Sequence, residues 1–169
     1  MKPCPATILS ASARLFDTGV WIGLAFDSHP LHRMARDVFE SADSERPIAF
    51  CRATQNSFLR LLTTPAIQAL YGGPAVTNAQ AWAKSQELLA LPQVVWLAEP
   101  VALESEWKRC GAVATVSPKV WMDAYLAAFA ISGDLELVTF ERDFANFVRY
   151  GLRLTLLEAK VAGNRRPQR

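Results

Sequence analysis

With 169 residues, the chain is long enough for one domain with a substantial core and needs no disulfide or metal staples. Its 51% hydrophobic and 20% charged content marks a globular rather than a disordered chain, and its net charge of +2 is too small to imply a polyanionic partner by itself. No apolar run reaches the roughly 18 residues that span a bilayer, and the broken segment MKPCPATILSASA does not make a secretory signal.

Residues 1–13 read as an N-terminal extension. In RLFDTGVWIGLAF, Leu15 and Phe16 end a short buried strand, Asp17-Thr18-Gly19 makes a turn, and 20–26 begin a helix. Residues 31–40 place Leu31, Met34, Ala35, Val38 and Phe39 on one helical face. After a polar loop, 47–51 suit a buried parallel strand. A helix over 53–62, with Phe58, Leu61 and Leu62 inward, stops at Thr63-Thr64-Pro65, and 71–74 form a turn.

Asn78 is expected to cap a helix reaching about Leu91, with Trp82 and Leu89 sharing its inner face. A strand over 94–97 precedes a helix over 101–113, where Leu103 and Trp107 stand one turn apart. Ser117 as cap and Pro118 in the first turn open a helix over 119–131, closed by Gly133. A strand over 135–139, a short helix around 144–149 and a last strand over 152–157 follow, then a basic tail, 159–169, that frays. Strands alternating with helices imply a mostly parallel sheet flanked by helices, with neither a repeat nor a second domain.

Three acidic features stand out. Asp17 stands at the carboxyl end of a strand, where α/β folds put their sites, although capping aspartates are commonplace. Asp123 lies on the apolar stripe of Val120, Ala124, Ala127 and Ile131, which costs free energy unless a partner compensates its charge. Glu141 and Asp143 follow the strand ending at Thr139, a position that is also common in solvated loops. A parallel sheet gathers its carboxyl ends along one edge, and clustered carboxylates call for a hard divalent cation such as Mg²⁺ or Mn²⁺. Zinc is not indicated: His29 and His32 read as surface residues at a helix start. Cys4, Cys51 and Cys110 are an odd, scattered set that suits a reducing cytoplasm.

The phrases LFDTGVWIGLAFDSHPLH, FCRATQNSFLRLLTTPAI, WMDAYLAAFA and LELVTFERDF occur in the order found in PIN-domain ribonucleases. The chain resembles these enzymes, and within them the VapC-like toxins of toxin–antitoxin pairs, over most of 15–144. The resemblance implies a three-layer α/β/α fold over 14–158 and a Mg²⁺- or Mn²⁺-dependent endoribonuclease. It also implies an antitoxin that occludes the site, and a homodimer. It matches Asp17 and Asp123 to family acids and puts the last acidic position at Glu141 or Asp143. Asp17, Asp123 and Asp143, with Glu141, would then hold the metal. Thr18 and Thr139 match small hydroxyl residues beside the acids. Where the family has a further acid early in the helix after the second strand, this chain has Gln55, whose neutral amide should hold a second metal less well.

Cleavage would then use metal-activated water and would not need the RNA 2′-hydroxyl as nucleophile. Arg52, Arg60, Arg142 and Arg149 are candidate phosphate contacts, as are Arg165, Arg166 and Arg169 in the tail, where a solvated surface charge is the default. Apolar surface around 31–39 and 58–62 is a candidate antitoxin site, with core packing the default. A degenerate domain that binds RNA or a partner protein without cutting is the alternative, and Gln55 is its best support. A phosphatase would share the acidic site. Asp17-Thr18-Gly19 also spells the aspartic-protease triplet, but the helical pattern and the lack of a second such loop oppose it.

Overall fold

The computed structural model describes residues 13–114 and 116–158. The N-terminal extension up to residue 12, with Cys4, and the basic tail with Arg165, Arg166 and Arg169 lie outside the described residues. The strands are short: β1 (Arg14–Phe16), β2 (Ile48–Phe50), β3 (Val94–Trp96), β4 (Glu136–Thr139) and β5 (Arg153–Leu156), with apolar runs in the central ones and alternating polar residues in β5. They form one sheet in the order β3-β2-β1-β4-β5, with every pairing parallel.

Side chains alternate across this sheet. Leu15, Ala49 and Leu137 point to one face, under α6 (Leu103–Gly111), α7 (Val120–Ser132) and a 3₁₀ helix over Arg142–Tyr150. Phe16, Ile48, Phe50 and Val138 point to the other, under α1 (Thr18–Ala25), α2 (His32–Glu40), α3 (Arg52–Leu62) and α5 (Asn78–Leu89). A short α4 (Pro65–Leu70) follows α3 directly, because Pro65 suits the first turn of a new helix as well as the end of the old one. The result is the expected three-layer α/β/α fold. On the second face Trp21 lies flat against Phe50, ring centroids 3.7 Å apart and 8° from parallel, which pins α1 to the central strands. Such a pair adds about 0.5–1.5 kcal/mol to the burial of the rings.

The strand order places the functional edge. From β1 the chain steps outward to β2 and β3, then returns to lay β4 on the other side of β1. The direction reverses between β1 and β4, and a crevice opens at their carboxyl ends. Asp17 is the first residue after β1, and Thr139 is the last of β4. No helix among the described residues is long and apolar enough to cross a membrane.

Several expectations shift. Thr77, not Asn78, caps α5: its hydroxyl accepts the Gln80 amide while the Gln80 side chain accepts the Thr77 amide, a reciprocal capping box. That helix buries Ala81, Ser85 and Leu88 and leaves Trp82 51% exposed, so small residues fill two of its three buried positions. Ser117 and Pro118 sit in a turn ahead of α7, whose cap position is Lys119 without a side-chain bond. Phe58 and Leu62 are core residues and offer no surface to an antitoxin, while Leu31 and Met34 are half-buried. His29 and His32 are also half-buried: the His29 ring lies between Tyr71 and Phe140, and His32 Nδ1 meets the Gly23 carbonyl oxygen at 2.9 Å. Cys51 and Cys110 are free buried thiols.

Candidate active site

Asp17 is both a cap and a site residue. Its backbone is extended, its amide donates to the Val138 carbonyl at 3.0 Å, and its Oδ1 accepts the Thr18 amide at 2.6 Å to cap α1. The contact with Thr18 therefore runs through the backbone. Asp17 Oδ2 accepts the Thr139 hydroxyl at 2.9 Å, and the same hydroxyl oxygen accepts the Glu141 amide at 3.0 Å. Fully buried Thr139 thus joins the first acid to the turn that carries the last two.

The carboxylate of Asp17 is only 7% exposed, and among the described residues no lysine, arginine or histidine pairs with it. Burial pushes its pKa up to about 6. The Thr139 and Thr18 hydrogen bonds oppose that rise, and the charges of Glu141 and Asp123 add to it.

Asp123 projects from the first turn of α7, half-buried, and one of its oxygens stands within 4.8 Å of one oxygen each of Glu141 and Asp143. Its pKa is raised by burial and by Glu141, with Lys119 opposing and Asp143 adding. The three side chains come from two segments that β4 and the head of α7 bring to the same edge.

Lys119 is the member that the sequence analysis overlooked. Its Nζ lies 3.0 Å from Asp143 Oδ2 and 3.1 Å from Glu141 Oε2, and hydrogen bonds to Asp143 and then Glu141 raise its pKa. The available signal was its place four residues before Asp123, one helical turn away on the same face. A cleft of about 490 Å³ alongside is lined by Lys119, Asp123, Asp143, Asn146 and Arg149. Larger clefts exist, such as one of about 620 Å³ beside Tyr71, but it has a single acid, Asp27, in its lining. The donor set, not the volume, distinguishes the first.

That donor set fits a hard divalent ion. Oxygens opposite one another around Mg²⁺ stand about 4.2 Å apart and adjacent ones about 3 Å. The 4.8 Å spread among Asp123, Glu141 and Asp143 needs only small rotations of side chains, two of which are exposed. Asp17 is not one of those three; buried and without a cationic partner among the described residues, it is linked to them by the Thr139 hydroxyl and by the charges of Glu141 and Asp123 that it feels.

The remaining candidates divide. Gln55, 3% exposed, turns toward α5: its Nε2 donates to Ser85 Oγ at 3.0 Å and its Oε1 accepts Arg52 Nη1 at 2.8 Å. Neither bond is to an acid of the cluster. The Arg52 guanidinium also stacks 4.3 Å over Trp96. Arg60 lies about 12 Å further along α3, away from the strand ends, by the 1.5 Å rise per residue. Arg142 pairs with Glu158 at 2.9 Å, while Arg149 lines the cleft and leans on the Tyr150 ring.

Comparison with known proteins identifies the family and the fold. Residues 14–150 match the family described as PIN domain. The chain is 43% identical over 141 residues to Ribonuclease VapC41 of Mycobacterium tuberculosis, covering 83% of this chain and 97% of that one. Among solved structures, VapBC2 from Rickettsia felis, bound to a DNA fragment from the promoter, superposes with a TM-score of 0.61 at 14% identity. That match covers 86% of this chain and 99% of that one. Mycobacterium tuberculosis VapC20, a toxin that cleaves the sarcin–ricin loop, gives 0.56 at 14% identity, covering 78% and 92%. At that identity the solved structures speak for the fold alone; the family match and the 43% relative place the sequence. The chain belongs to the PIN-domain family and is a homologue of the VapC ribonucleases.

Proposed function

We propose that this chain is a divalent-metal-dependent endoribonuclease acting as the toxin of a toxin–antitoxin pair in the cytoplasm, with residues 14–158 as its nuclease domain. The observation that carries this reading is Asp17, a buried carboxylate without a cationic partner among the described residues, tied by Thr139 to a strand end where Asp123, Glu141 and Asp143 converge. Asp17, Asp123 and Asp143, with Glu141, would hold Mg²⁺ or Mn²⁺. When bound, such an ion lowers the pKa of water and offsets the charge that builds on the phosphoryl group in the transition state.

The chain's own residues do the positioning. Thr139 and the Thr18 amide aim the two oxygens of Asp17, so that carboxylate enters the site with little freedom left to lose. Arg149 stands in the cleft, where it can meet a phosphate of bound RNA, and Arg52 flanks the edge beside Trp96. The relatives solved as VapBC complexes support an antitoxin partner, and the family resemblance supports a homodimer.

The experiment is cleavage of a structured RNA by antitoxin-free protein. Cutting should require Mg²⁺ or Mn²⁺ and vanish in Asp17→Ala and Asp123→Ala variants that keep the wild-type circular dichroism. Cutting in EDTA, or full activity in both variants, would refute it. The second reading, a domain that binds RNA or a partner without cutting, is favoured by Gln55, whose amide is committed to Ser85 and Arg52. RNA binding without metal-dependent cleavage would select it.

A further inference from the structure

We propose that Lys119 is a tethered cation that holds Glu141 and Asp143 together until a divalent ion takes their oxygens, and that it competes with that ion for the site. The inference rests on the metal reading above. Its observation is geometric: a single ammonium bridges two carboxylates at 3.0 and 3.1 Å, and both belong to the trio of acids that brings one oxygen each within 4.8 Å of the others.

Nothing local explains that placement. Lys119 holds the cap position of α7, where the helix dipole disfavours a positive charge, and it makes no capping bond there. Its order relative to Asp123, base before acid at four residues, is the weaker orientation of such a pair. The carboxylates of the following turn therefore set where the ammonium sits. The pull is real but modest: Lys119, Glu141 and Asp143 side chains are 63%, 46% and 63% exposed, and exposed ion pairs contribute little each. A bridge of that strength holds the carboxylates against their mutual repulsion and still gives way to a doubly charged ion that ligates the same oxygens directly.

The test is Mn²⁺ titration by calorimetry, with thermal melts in EDTA and in saturating Mn²⁺, on wild type, Lys119→Met and Arg149→Met. Arg149 lines the same cleft but makes its contacts with Tyr150, so its variant removes a positive charge without removing a bridge. Lys119→Met should bind Mn²⁺ about two- to thirtyfold more tightly than wild type, the range that two exposed ion pairs correspond to. It should melt lower than wild type in EDTA, gain more from Mn²⁺, and exceed Arg149→Met in affinity. Unchanged or weakened Mn²⁺ binding in Lys119→Met overturns the inference, as does an equal gain in Arg149→Met, which would reduce the effect to overall charge. Absence of Mn²⁺ binding in wild type and variants alike overturns the metal reading as well.

Discussion

The Thr139 hydroxyl donates to Asp17 Oδ2 at 2.9 Å across 122 positions of sequence, and this bond links the carboxyl ends of β1 and β4. Because the same oxygen accepts the Glu141 amide, Thr139→Val, nearly isosteric, leaves a buried acceptor and a donor short of a partner. It should cost about 1–3 kcal/mol in urea unfolding. Loss of a bond that favours the charged carboxylate should also move the rise of activity with pH to higher pH. Thr139→Ser, which keeps the hydroxyl, should restore both.

Asp17 sets a pH dependence whose sign is the reverse of the usual aspartate. Its folded-state pKa is about 6 against an ordinary 3.8, so between those values the folded chain holds a proton that the unfolded chain has released. This contribution to stability is present below about pH 4 and is lost as pH rises through 6. In EDTA, melting curves of wild type and Asp17→Asn should therefore separate across that window. At pH 8 the asparagine variant should be the more stable, by about 3 kcal/mol at most. Mn²⁺ should narrow the gap by stabilising only wild type.

The same proton opposes metal uptake. Below pH 6 an ion must displace it from Asp17, so Mn²⁺ affinity measured by calorimetry should fall as pH drops through 6, with proton release visible as a buffer-dependent enthalpy. A flat affinity from pH 5 to 8 would remove Asp17 from the ligand set.

Gln55→Glu tests whether the missing family acid can be put back. The side chain is buried and its amide nitrogen donates to Ser85, so a carboxylate there keeps Arg52 but loses that donor. The variant should be less stable by about 1–3 kcal/mol and should not bind Mn²⁺ more tightly. Tighter binding would mean that position 55 reaches the site after all.

Trp21→Ala should cost about 3–5 kcal/mol, because a fully buried ring stacked on Phe50 and edge-on to Phe58 leaves a cavity that cannot collapse. It should also lower activity at temperatures where the protein remains folded, since the loosened helix is the one that Asp17 caps.

Much of this was legible in the sequence. Buried parallel strands are short apolar runs, so the segments around Leu15, Ala49, Val94 and Leu137 stood out, and acids after the first and fourth of them pointed to a shared edge. The α5 register was read one residue late because Thr77 and Asn78 are both good caps. Gln80, three residues beyond Thr77, decides between them. Trp82 looked like core, yet the smaller Ala81 and Ser85 face inward. The partners of Lys119 and Gln55 were not legible: the pairs with Asp143 and Ser85 join residues 24 and 30 positions apart, and no periodicity records charge or hydrogen-bond matching across the fold.

The most direct test of the central claim is an anomalous-diffraction map of crystals grown with Mn²⁺. The account predicts a peak ligated by Asp17, Asp123 and at least one of Glu141 and Asp143, with Lys119 Nζ moved off their oxygens. An active protein whose Mn²⁺ peaks lie elsewhere, with these four carboxylates free of metal, would contradict it.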